Sequence, residues 1–187
     1  PSGRAAAHAA AFQGLRTSLS ECDIVGGDSL NAGSVSSKSL LRTALAYTDM
    51  RRADRYGASV PEDVSVDFTK ALEHMYRLRA RLSRIGSAEE LRSDGIDLFF
   101  GQACFAGSDT IDVDGVRLQF EKAIIATGAE PDAPKILGLE EAGYLTNESV
   151  FGITDLPKRL LVIGGGPLGC ELAQAVSCFV AATLMFT

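Results

Sequence analysis

The stretch Arg159-Leu160-Leu161-Val162-Ile163-Gly164-Gly165-Gly166-Pro167-Leu168-Gly169 constrains the fold more than any other part of the chain. An apolar run of strand length enters a Gly-x-Gly-x-x-Gly turn and leaves into a segment of helical character that starts at about Pro167. Glycine at 164 permits the tight turn, at 166 it lets a pyrophosphate approach the backbone, and at 169 it lets helix pack on strand. These requirements belong to a βαβ unit of a doubly wound α/β fold, in which free N–H groups at the helix start face a phosphate. Gly164, Gly166 and Gly169 are therefore candidate dinucleotide ligands. The acidic ribose ligand expected about 20 residues further on is not seen before Thr187, so NAD and NADP are not distinguished.

The amino end reads as the second half of the same device. Pro1-Ser2-Gly3 leads into an Ala-rich helix from Arg4 to Leu15, then a short strand from Thr17 to Ser20, then Glu21, where a carboxylate would accept hydrogen bonds from a ribose. The first strand and the first two glycines of such a unit are not among these residues. Helices are expected from Ser37 to Arg55 and from Asp67 to Arg84. The second has Phe68, Leu72, Met75, Leu78 and Leu82 on one face and Arg77, Arg79, Arg81 and Arg84 in solvent. After Gly95 four β-like pieces, Asp97–Phe100, Ala103–Ala106, Thr110–Val113 and Val116–Phe120, read as one antiparallel meander. Ala123 to Gly128 reads as a fully buried strand, and Glu130 to Gly152 as a loop-rich connector. The charge-free end from Leu172 to Thr187 reads as a buried helix and a strand from Ala181 to Phe186, being shorter than the roughly 20 apolar residues that cross a bilayer. Its turn, Ser177-Cys178-Phe179-Val180, lacks the usual glycine, which argues against pairing of that last strand.

Charge and cysteine usage narrow the partners. With 24 acidic against 18 basic residues the net charge is -6, which disfavours nucleic acid and anionic membrane surfaces. Cys22, Cys104, Cys170 and Cys178 contain no CxxC pair, so neither a metal site nor a disulfide framework is readable. They are read as small packed residues in a reducing cytoplasm, and no apolar signal stretch opens the chain. His8 and His74 are read as structural or exposed.

The segment Gly26-Gly27-Asp28-Ser29-Leu30-Asn31-Ala32-Gly33-Ser34-Val35-Ser36-Ser37-Lys38 resembles the redox-active signature G-G-T-C-x-N-x-G-C-x-P-S-K of the flavoprotein disulfide reductases, the FAD-dependent pyridine nucleotide-disulfide oxidoreductases. Gly26, Gly27, Asn31, Gly33, Ser37 and Lys38 match. Serines stand at both cysteine positions, Ser29 and Ser34, and Ser36 replaces the proline. Gly101-x-Ala103, Ala126-Thr127-Gly128-x-x-Pro131 and Gly166-Pro167-Leu168-Gly169-Cys170-Glu171-Leu172-Ala173 also have counterparts. The stretch from Gly143 to Ala175, with Tyr144-Leu145-Thr146-Asn147-Glu148, looks most like the mercuric reductase branch, with dihydrolipoamide dehydrogenase second.

The resemblance implies a Rossmann-like FAD-binding domain with an antiparallel β-meander over residues 1–152, lacking its first strand, and the start of a second Rossmann-like NAD(P)-binding domain over residues 153–187. It implies that Gly3, Glu21, Gly26, Gly27, Ala103, Thr127 and Gly128 line FAD, and that Gly164, Gly166 and Gly169 receive NAD(P)H. Lys38 and Glu171 would form a buried ion pair beside the flavin. The whole protein, a homodimer of which this is an internal piece, would pass electrons to a mercuric ion or a disulfide. A thiol becomes a thiolate near neutral pH and an alcohol does not, so Ser29 and Ser34 disable the thiol relay as the chain is written. A non-catalytic or degenerate nucleotide-binding domain is the alternative.

Overall fold

The computed structural model describes residues 1–60, 64–179 and 182–186. In chain order the elements are α1 (Ser2–Phe12), β1 (Thr17–Glu21), α2 (Asp28–Asn31), α3 (Ser34–Arg51), α4 (Phe68–Leu82), α5 (Ala88–Ser93), β2 (Ile96–Phe100), β3 (Ala103–Phe105), β4 (Thr110–Val113), β5 (Val116–Gln119), α6 (Leu139–Ala142), β6 (Arg159–Ile163), α7 (Pro167–Cys178) and β7 (Ala182–Phe186). They divide into two compact units. The first holds Pro1–Asn31 with Arg81–Glu130, the second Ala32–Ala80 with Pro131–Thr187.

In the first unit β1 and β2 form a parallel ladder from Thr17 opposite Ile96 to Glu21 opposite Phe100. The alanines of α1 let it pack closely on this ladder: Ala7, Leu91 and Ile96 are buried together, flanked by Ala11, Leu19, Val25 and Leu98. Ser87 caps α5 by accepting a hydrogen bond from the Glu90 N–H, so Leu91 is delivered to the core by a fixed first turn. The meander is β3-β4-β5 alone. Its tight β4–β5 turn uses Asp114 at φ 46° and Gly115 at φ 90°, the Asp-Gly pairing that suits a two-residue hairpin.

Two sequence expectations about this unit are corrected. Residues Ile96–Phe100 leave the meander and pair in parallel with β1. Short β-like pieces separated by glycines look alike whichever partner they take, and periodicity carries no information on partner choice. Ala123 to Gly128 forms no strand, and Ile124 and Ile125 are each 72% exposed. A strand buried on both faces needs a sheet around it, and among the described residues this segment has no ladder partner.

In the second unit α3, α4 and α7 enclose the larger core: Leu40, Ala44, Phe68, Ala71, Leu72, Met75, Phe151, Ala175 and Phe179. Phe179 meets Tyr47 and Phe68 edge-on at centroid distances of 6.1 and 5.6 Å, the geometry that ring quadrupoles favour. Tyr76, on α4, donates its hydroxyl to the Phe151 carbonyl at 2.6 Å. The apolar face of α4 is buried through Phe68, Ala71, Leu72 and Met75, while Arg77, Arg81 and Arg84 are exposed and Arg79 lies over the Tyr76 ring. β6 and β7 pair in parallel from Arg159 opposite Ala182 to Ile163 opposite Phe186.

That pairing corrects the expectation drawn from the missing glycine. Phe179 closes α7 in an ordinary right-handed conformation, φ -78° and ψ 2°, its N–H donating back to Ala175 and Val176, so no left-handed residue is needed there. Val180, Ala181 and Thr187 lie outside the described residues. In the terminal strand Leu184 and Phe186 are each 58% exposed. The helix expected from Ser37 to Arg55 instead begins at Ser34 and ends at Arg51, followed by a 3-10 turn at Ala53–Tyr56. Cys22, Cys104 and Cys170 are exposed, which overturns their reading as packed residues, whereas Cys178 is half-buried and packs against the larger core. No helix among the described residues is long and apolar enough to cross a membrane, and no cluster of metal-ligating side chains occurs among them.

Candidate functional site

In the first unit the amino end of α1 meets two loops. α1 starts without a side-chain cap, which leaves its first N–H groups free of intrahelical partners. Gly3 lies flat against the fold: a Cβ there would stand 3.3 Å from the Ala126 Cβ and 3.5 Å from the Leu19 Cδ1. Gly27, at φ 72°, approaches so closely that a Cβ would fall 2.3 Å from the Pro1 backbone nitrogen, and Gly26 has φ 128°. Only glycine takes that path at no cost. Gly128, at φ 78°, lies near the Asp28 carboxylate, which a Cβ would approach to 3.6 Å. Thus Gly3, Gly26, Gly27 and the 126–128 segment converge on one helix start. Glu21 ends β1, and its carboxylate accepts the Asp23 N–H at 3.2 Å. Thr127 is exposed, as is Ala103, which opens β3 opposite Val113.

In the second unit the turn between β6 and α7 explains each glycine separately. Gly164 has φ 112° and donates to the Phe186 carbonyl at 2.8 Å, so the tight turn is locked onto β7. Among the described residues a Cβ on Gly166 would meet nothing within 4 Å, leaving open room above the backbone where α7 begins without a side-chain cap. A Cβ on Gly169 would stand 2.4 Å from the Gly164 carbonyl oxygen and 3.4 Å from the Val162 Cγ1. Helix and strand therefore touch at a point where any side chain would collide with main chain. The turn has the shape a pyrophosphate requires: an open backbone surface over free N–H groups.

Glu171 stands on α7 two residues past Gly169. Its Oε1 accepts from the Lys38 Nζ at 2.9 Å, and its Oε2 from the Ser37 Oγ at 2.5 Å. The Ser37 hydrogen bond and the Lys38 ammonium, in that order, hold the Glu171 carboxyl below its ordinary titration range. The ion pair expected from the resemblance is present, but it is not buried. The Lys38 side chain is 63% exposed and that of Glu171 21%, because the lysine stem runs outward from α3 while the carboxylate lies against it. The sequence reading missed Ser37's part. The S-K doublet marked the position, but only the fold brings its hydroxyl to an acceptor 134 positions away. Ser29, on α2, belongs to the first unit and Ser34, the first residue of α3, to the second; both are exposed.

These features have counterparts among known proteins. The family model for pyridine nucleotide-disulphide oxidoreductases matches residues 1–185. The chain belongs to that family. A dihydrolipoyl dehydrogenase of Chlamydia trachomatis is 35% identical over 179 residues, covering 93% of this chain and 38% of that protein. A mercuric reductase of Lysinibacillus sphaericus is 32% identical over 161 residues, covering 86% of this chain and 29% of its own length. A dihydrolipoyl dehydrogenase of Acholeplasma laidlawii is 29% identical over 183 residues, and the chain covers 54% of it. The chain thus spans about half, or less, of these relatives. The HOCl-induced flavoprotein disulfide reductase RclA from Escherichia coli superposes with a TM-score of 0.80 over 97% of this chain at 24% identity, covering 39% of that protein. The fold is therefore that of the Rossmann-like FAD-binding domain of the disulfide reductases. The family comprises FAD- and NAD(P)H-dependent oxidoreductases.

Proposed function

We propose that these 187 residues serve a longer flavoprotein that carries electrons from NAD(P)H through FAD to a mercuric ion or a disulfide, and that their own thiol relay is disabled. The observation that carries this reading is the β6–α7 turn. Its open backbone at Gly166 and its Gly169 contact on the Gly164 carbonyl suit a dinucleotide pyrophosphate and have no packing purpose that alanine would serve as well.

Residues 1–152 form the FAD-binding part in this reading and residues 153–187 open the NAD(P)-binding part. Gly3, Gly26 and Gly27 would take the FAD pyrophosphate at the start of α1. Glu21 would accept from its ribose, and Ala103, Thr127 and Gly128 would complete the lining. FAD, when bound, supplies the step between a two-electron hydride donor and a thiol or metal acceptor. Lys38 contributes a positive charge, and Glu171 holds that charge in place. Ser29 and Ser34 contribute exposed alcohols where the family's signature has cysteines. An alcohol stays protonated near pH 7 and cannot attack a disulfide and leave again. Four unpaired cysteines suit a reducing cytoplasm, and the longer protein would be a homodimer.

The two serines also favour a second reading, a nucleotide-binding module that has lost its chemistry. One experiment separates the two. Residues 1–187 are joined to the flanking segments of the Chlamydia trachomatis relative, the chimera is loaded with FAD, and NADH or NADPH is added without air. Loss of flavin absorbance supports the electron-transfer reading. A chimera that retains FAD but is not reduced by either nucleotide is a binding module.

A further inference from the structure

We infer that Ser37 is a positioning residue: its buried hydroxyl fixes the Glu171 carboxylate, and through it the Lys38 ammonium. The inference rests on the reading of Lys38 as a working cation, but its geometry stands apart from that reading. Ser37 is fully buried, so its hydroxyl has no water to turn to. Two acceptors are within reach, the Ser34 carbonyl at 3.4 Å and the Glu171 Oε2 at 2.5 Å. The first is the ordinary back-bond of a serine within a helix. The second is short enough for a hydrogen bond to a charged oxygen, and it decides where the proton points.

The two carboxylate oxygens are thereby divided between partners of different mobility. Oε2 faces a hydroxyl on a one-carbon stem set in the core, and Oε1 faces an ammonium on a long stem that is mostly in solvent. The rigid partner sets the plane of the carboxylate and the mobile one follows. Lys38 alone, exposed as it is, would leave Glu171 free to rotate about its own torsions. Among the described ion pairs Lys38 is the single cation on Glu171, so no second charge can take over the role. The hydroxyl also ties α3 to α7 two residues past Gly169. The same bond that orients the cation therefore steadies the helix start beneath the nucleotide turn.

The test uses the 187-residue chain and no cofactor. The Glu171 side-chain carboxyl carbon is followed by 13C NMR as pH falls, in the parent chain and in Ser37→Ala, Ser37→Thr and Lys38→Met. Loss of a hydrogen bond to the charged form raises the midpoint, so Ser37→Ala should move it up by about one pH unit. Ser37→Thr, which keeps the hydroxyl, should restore most of the shift. Lys38→Met should raise it less than Ser37→Ala does. Should Ser37→Ala fail to fold, judged by the amide spectrum of the Phe151 and Phe179 region, Ser37→Cys retains the volume, weakens the donor and carries the same expectation. An unmoved midpoint in the folded alanine or cysteine variant, or a larger shift in Lys38→Met than in Ser37→Ala, overturns the inference. Because no flavin is present, failure of the chimera to bind or reduce FAD would leave this result standing.

Discussion

The contact between Lys38 and Glu171 sets a narrow range for a double-mutant cycle. At 2.9 Å the bare attraction at an effective dielectric of 20 is about 6 kcal/mol, but most of the lysine side chain is in water, and exposed pairs retain only about 0–1 kcal/mol of it. A fully buried pair would lose about 3–5 kcal/mol on removal of one partner, and the 63% exposure of Lys38 excludes that case. Lys38→Met keeps the apolar stem and should cost under about 1 kcal/mol. Glu171→Gln keeps an oxygen for Ser37 yet turns a charge-assisted hydrogen bond into a neutral one, so it should cost about 1–2 kcal/mol. The coupling should then be about 0.5–1 kcal/mol. Urea unfolding of the four proteins at low salt measures it, and 1 M salt, with a Debye length of about 3 Å, should remove much of it. The sign with pH also follows. Glu171 titrates below its ordinary value in the folded chain, so the coupling is complete above the unfolded value of about 4.3 and fades as pH falls through the lower folded value. A coupling above about 3 kcal/mol, or none at low salt and neutral pH, would refute the reasoning.

Three further outcomes are expected. Gly169→Ala in the FAD-loaded chimera should weaken NAD(P)H binding at least about tenfold, read by titration against flavin reduction, while FAD content stays the same; unchanged nucleotide affinity would contradict the turn's assignment. Met75→Ala removes a side chain with no exposed surface from the centre of the α3–α4–α7 core and should cost about 2–5 kcal/mol in denaturant unfolding, whereas a cost under about 1 kcal/mol would mean that the core closes over the gap. Ser36→Ala removes a buried hydroxyl that has no hydrogen-bond partner among the described residues and should stabilise the chain by about 1 kcal/mol, so a loss of stability would reveal a partner.

The strand, turn and helix from Arg159 to Cys178 were legible almost to the residue, because a buried-type strand, three glycines with distinct duties and Pro at the helix start all specify the same local path. The Lys38–Glu171 pair was legible only through the family signature. Nothing in spacing brings residues 133 positions apart to 2.9 Å. What failed were decisions about partners. Ile96–Phe100 has the same pattern whether it pairs with its chain neighbour or with β1, and the run Ala123–Gly128 is apolar enough for a central strand without containing the sheet that would surround it. Burial failed with them: the exposure of Cys22, Cys104 and Cys170 depends on what lies opposite each one, which composition does not encode.

On the proposed reading the chain keeps the nucleotide and cation parts of a flavin reductase, while Ser29 and Ser34 disable the thiol relay. Anaerobic stopped-flow spectroscopy of the FAD-loaded chimera tests both halves at once, comparing the serine form with Ser29→Cys/Ser34→Cys. The account predicts that NAD(P)H bleaches the flavin in both forms, and that only the cysteine form shows a long-wavelength charge-transfer band and turns over a disulfide or mercuric ion. Turnover by the serine form, or flavin that neither form reduces, would contradict it.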